Sequence, residues 1–187
     1  MGRDSRLEDA MRSPLSLALA FFWLGSAPGW AAPLAGCDAF LEKVRTEASD
    51  LGVEFTHALV VSRARSDTGM FDITTKSEAD GVLTCRGDTL VRFEAHVSEP
   101  ASARALTAFE KLSAAAIRAA LGWDPAKAKD SIHEMAADAK EFLAASKERG
   151  DVFVAGKTEE HAPGGVSLGL IQTEVDRAFI IFAPSGN

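Results

Sequence analysis

TLVRFEAHV, residues 89–97, sets Val91, Phe93, Ala95 and Val97 against Arg92, Glu94 and His96 in alternation. A period of two places one set on each face of a β-strand, so this segment predicts a strand with one apolar and one solvated face. Upstream the pattern repeats. Val53 to Arg63 (VEFTHALVVSR) puts Val53, Phe55, His57, Leu59 and Val61 on one face, and Met70–Lys76 and Val82–Arg86 read as two further strands. Ser66-Asp67-Thr68-Gly69, Ala79-Asp80-Gly81 and Gly87-Asp88 carry turn chemistry between them. Four strands with connections this short predict an antiparallel meander.

The flanking segments change period. Phe40, Leu41, Val44, Ala48 and Leu51 recur every three to four residues and stop at Gly52, which predicts an amphipathic helix over 38–51. Beyond Pro100, Ala105, Leu106, Phe109, Leu112, Ala116, Ile117 and Ala120 predict a helix over 102–121, closed by Gly122. Asp124-Pro125 is an N-cap followed by proline at the first helical position, and Ala128, Ile132, Met135, Ala139, Phe142 and Leu143 continue a second stripe to Gly150. So short a connection makes an antiparallel helical hairpin. Strands are expected again over 152–157, 166–172 and 177–183, with a loop over 158–165. The fold class is therefore α+β: an N-terminal helix, a four-stranded antiparallel meander, an antiparallel helical hairpin, then three further antiparallel strands completing one sheet or a second small sheet. Residues 32–187 read as one domain.

The first 31 residues carry a different signal. Arg12 precedes the apolar run Leu15–Leu24 (LSLALAFFWL), and small residues follow through Gly29-Trp30-Ala31. That layout is a cleavable secretory signal with its cut after Ala31. Arg3 and Arg6 against Asp4, Glu8 and Asp9 fit a signal poorly, and a start at Met11 removes the conflict. Leu34-Ala35-Gly36-Cys37 matches a bacterial lipobox, which makes a lipid anchor through Cys37 the competing reading. Against it, residues 25–33 separate the Cys from the apolar run, and an amphipathic pattern starts directly after it. Cys37 and Cys85 are the only thiols. In an oxidising compartment they form a disulfide, and acylation of Cys37 excludes that bond.

Composition narrows the function classes. The chain has 187 residues, is 47% apolar and 25% charged, and carries a formal charge of −7. The signal segment holds as many basic as acidic residues, so the negative charge belongs to the folded part and argues against nucleic-acid partners. No apolar run reaches the ~20 residues of a membrane span. Two cysteines are too few for a self-contained zinc site, and no cofactor or metal is expected.

Several motifs match by letter and fail on context. Gly156-Lys157-Thr158 has Asp151 where a phosphate loop needs glycine, and no helix pattern follows it. His133-Glu134 has Ala137 where a zinc helix needs its second histidine. Arg86-Gly87-Asp88 is explained by turn formation. Two groups remain as candidates. Glu159, Glu160 and His161, with Lys157, sit in the expected 158–165 loop region, where two carboxylates and an imidazole suit acid–base or metal chemistry. His57 lies on the apolar face of the first strand, where it either fills the core or lines a ligand cavity. No catalytic nucleophile motif is present. The expected role is an exported cell-envelope protein with a non-catalytic binding or structural function, its partner a small apolar ligand or another protein. The alternative class is a small hydrolase or metal-dependent enzyme built on the 157–165 region, with His161, Glu159 and Glu160, or on His57.

Overall fold

A computed structural model describes residues 36–62, 68–150 and 156–183, with the backbone alone at 59–62, 156–160 and 163. The expected signal segment, its cleavage point, and Leu34-Ala35 of the lipobox lie outside the described residues. The elements run α1 (Cys37–Asp50), β1 (Phe55–Ser62), β2 (Thr68–Thr75), β3 (Ala79–Arg86), β4 (Thr89–Ser98), α2 (Ala103–Leu121), α3 (Pro125–Arg149), β5 (Gly156–His161), a 3-10 turn, β6 (Ser167–Gln172) and β7 (Asp176–Phe182). All strands join one antiparallel sheet in the order β1-β2-β3-β4-β7-β6-β5. The α+β class and the meander are as expected, and the last three strands complete the first sheet rather than forming a second. Within it, β7 pairs with β4 and β5 becomes the far edge.

The helices cover one face of the sheet. α2 packs on β3, β4 and β7, α3 on β5 and β6, and α1 beside α2. The inner face is built from alternate strand positions. Leu83 and Phe93 in the meander, and Leu168, Leu170, Phe179 and Ile181 in the later strands, are all fully buried. Phe109, Leu112 and Ile117 of α2 lie on them, also fully buried. The alanines of the α2 stripe, with Ala79 and Ala95 of the sheet, let helix and sheet approach closely. Both hairpin helices start as the sequence predicts. Ser102 accepts from the Ala105 amide at 3.0 Å, and Asp124 from the Lys127 amide at 2.9 Å. Gly122 and Gly150 close them in the left-handed conformation.

Three local expectations are corrected. The β2–β3 turn is not Ala79-Asp80-Gly81, which belongs to β3. The chain turns one step earlier, where Glu78 takes φ +62° and Thr75 Oγ1 accepts from the amides of Ser77 and Ala79. Gly81 is in the strand because a Cβ there would lie 2.7 Å from the Glu94 carbonyl oxygen. In β4 a bulge displaces Val91 from the core face, so Leu90 opposite Cys85 is buried in its place. Phe142, counted in the α3 stripe, is 56% exposed.

Cys37 opens α1 and Cys85 lies one residue before the end of β3, and the two form a disulfide with Cα atoms 6.2 Å apart. Both residues are buried. The Gly87-Asp88 turn completes the anchorage, because the Cys37 amide donates to the Asp88 carbonyl at 2.8 Å. Along its length α1 is held to α2 by Glu47–Arg118 at 2.8 Å and by Lys43 donating to the Ala119 carbonyl at 2.8 Å. Phe40 meets Phe93 edge-on, with ring centroids 6.1 Å apart.

Candidate functional site

The sheet order separates the expected site residues. His57 is on β1 and Glu159, Glu160 and His161 are on β5, the two opposite edges. Six interstrand steps of about 4.8 Å put roughly 29 Å of sheet between them. The 158–161 segment is a strand rather than a loop. Glu159 stands opposite Gly169 and Glu160 opposite Leu168, and successive strand positions belong to opposite faces. The His161 imidazole is exposed and within 3.0 Å of the Ser167 hydroxyl. Among the described residues no three His, Cys, Asp or Glu side chains are grouped to hold a metal ion.

His57 faces the helix side, as the alternation predicts, and is half-buried. It has a specific neighbour: an Arg45 guanidinium N–H of α1 donates to its Nδ1. A second nitrogen of Arg45 bonds Glu42, and its guanidinium lies 5.8 Å from the Phe55 ring. An imidazole that accepts at Nδ1 keeps its proton on Nε2, so His57 acts as a link between α1 and the β1 edge.

On the outer face, His96 is flanked by two carboxylates. Its Nε2 donates to Glu94 at 3.2 Å and its Nδ1 lies 3.8 Å from Asp176. Arg92 reaches Glu94 from the same strand at 3.0 Å. Glu94 is opposite Ile180 in the register, and its side chain is only 12% exposed. The hydrogen bond to Glu94 holds the His96 pKa above its ordinary value, against the opposing effect of burial. The same bond, helped by Arg92, holds Glu94 below its ordinary value. The raised histidine stabilises the fold below its unfolded pKa, and that contribution is lost as pH rises through the folded value. The lowered carboxylate stabilises above its unfolded pKa and ceases to as pH falls through the folded value. The pair therefore contributes most between about pH 4.5 and 6.5, the ordinary values of the two groups. His96→Gln is expected to remove this component, so the difference in melting temperature from wild type is largest in that window and shrinks on either side. Thermal melts from pH 4 to 8 measure it, and a difference that does not vary with pH would contradict the assignment.

A half-open cleft of about 330 Å³ lies where the end of α1 meets α2 and the start of α3. Leu51, Ala114, Pro125 and Ala126 supply its apolar walls. Thr107, Glu110 and Lys111 of α2 and Lys129 of α3 complete its lining. Glu110 faces His133 at 3.6 Å, while neither lysine has an ion-pair partner among the described residues. A second cavity, about 390 Å³, opens on α3 around the exposed Phe142 and is bordered by Asp138, Glu141 and Arg149.

No family model, curated protein or solved structure matches this chain. The site is therefore read from its own geometry. Sequence reasoning missed Lys111 and Lys129, which look like ordinary surface lysines of amphipathic helices until the hairpin brings them to one cleft. It also left the His96–Asp176 proximity unread. The Glu94/His96 spacing of two was legible as one face of a strand, but the approach of β7 to β4 was not.

Proposed function

We propose that this chain is an exported, disulfide-closed binding protein of the cell envelope, non-catalytic, with the helical cleft as the seat of a small apolar ligand. The observation that carries the reading is the buried Cys37–Cys85 bond, because structural disulfides persist in oxidising compartments and are rare where glutathione keeps thiols reduced. The same bond favours soluble export over a lipid anchor, since a sulfur joined to Cys85 cannot also carry a thioether-linked lipid. No helix among the described residues is long and apolar enough to cross a membrane. His57 lies at the opposite sheet edge from Glu159, Glu160 and His161, so the two groups do not form one joint site.

A cleft of a few hundred Å³ that combines apolar walls with polar groups able to orient a ligand is the usual form of a small-ligand site. Native mass spectrometry of the protein taken from its own envelope tests the reading. The expected spectrum shows a small-molecule adduct at one equivalent that is lost on denaturation. A bare chain, or one that retains only another polypeptide, would contradict the small-ligand assignment.

A further inference from the structure

The polar lining of the helical cleft has a sign. Arg45, Lys76, Arg92, Arg118, Lys147 and Arg177 all reach carboxylates of this chain. Lys111 and Lys129, like Lys43, Arg86, Arg104, Lys127 and Lys140, have no such partner among the described residues, and these two line the same apolar cleft. The only carboxylate lining it, Glu110, is turned toward His133. The cleft thus offers two ammonium groups beside apolar walls and no carboxylate turned toward them. A ligand supplying both missing partners has an anionic head and an apolar tail.

We propose that the cleft binds a single-chain aliphatic carboxylate, with its head between Lys111 and Lys129 and its tail along Leu51, Ala114, Pro125 and Ala126. The volume of about 330 Å³ lies at the small end of ligand sites and suits one short tail rather than a two-chain lipid. Lysine is suited to this task, since its ammonium is a point charge on a flexible stem that adjusts to a mobile head group. The assignment rests on the ligand-binding reading above and specifies its chemistry.

Calorimetric titration of the oxidised full chain with decanoate, 1-decanol and decylamine tests it. Decanoate is expected to bind one-to-one and at least tenfold more tightly than the alcohol, with decylamine weakest. In K111M/K129M, which keeps the aliphatic stems, decanoate affinity falls at least tenfold and 1-decanol affinity stays within twofold. Raising the salt concentration weakens decanoate alone. Equal affinity for acid and alcohol, or a decanoate affinity unchanged in K111M/K129M, overturns the head-group assignment and leaves the ligand-binding reading standing. Uptake of none of the three probes overturns the placement of the ligand in this cleft, whatever adduct the envelope-derived protein carries. The melting curve of K111M/K129M is expected to match wild type, because neither lysine has an ion-pair partner among the described residues, so lost binding reports on the cleft.

Discussion

Replacing Cys37 and Cys85 together with alanine is expected to lower stability by about 4 kcal/mol. The bond closes a loop with a sequence separation of 48, and in the chain-entropy model a loop of that length restricts the unfolded ensemble by about that amount. For a chain of this size the loss corresponds to a fall of about 8–16 °C in melting temperature. The structure adds where the loss is felt first. α1 is fastened at its start by the disulfide and by the Cys37 amide on Asp88, and along its length by Glu47–Arg118 and Lys43. Without the covalent link the first turn of α1 should exchange its amide hydrogens before the central strands do. Wild-type protein melted in a reductant should approach the double variant. A melting temperature unaffected by either treatment would mean that the bond adds nothing to the fold.

Phe93→Ala is expected to cost about 3–5 kcal/mol, the range for removing a fully buried phenylalanine. Phe93 is central in β4, with Leu83 opposite on β3 and Ile181 opposite on β7, and all three are fully buried. Phe40 of α1 packs edge-on against it, so truncation leaves a void bounded by two strands and a helix. Neighbours fixed by a seven-stranded sheet cannot collapse readily into that space, which places the cost toward the upper end. A double-mutant cycle with Phe40→Ala should return a coupling of about 0.5–1.5 kcal/mol, the worth of an aromatic pair beyond its area. Phe142→Ala is the internal control. At 56% exposure it should change stability by less than about 0.5 kcal/mol. Denaturant unfolding measures all four variants, and equal losses at Phe93 and Phe142 would contradict the placement of the core.

Much of this architecture was legible because local pattern and tertiary role agree. The alternation in 89–97, the α2 stripe and the Asp124-Pro125 cap each predict an element that forms, with boundaries within a few residues. The failures share a physical cause. β5 is a polar edge strand, so Thr158, Glu159 and Glu160 show no apolar alternation, and the segment reads as a loop. Charged residues on an edge also discourage pairing with another chain. Gly81 reads as a turn residue, whereas it is needed where the Glu94 carbonyl oxygen comes too close for any Cβ. That constraint comes from the neighbouring strand and leaves no mark on local sequence. The candidate site was harder to read for the same reason. His57 was placed on the correct face, but Arg45 as its partner depends on how α1 lies over β1. Lys111 and Lys129 belong to different helices and meet only through the hairpin.

The proposed export and the Cys37–Cys85 bond are both read by the intact mass of the chain isolated from the envelope fraction. The expected mass is that of a chain beginning at Ala32 and two hydrogens lighter than its reduced sequence, with no alkylation of Cys37 or Cys85 before reduction. A chain recovered from the cytoplasm with residues 1–31 attached and both thiols alkylated would contradict it, as would a chain beginning at an acylated Cys37.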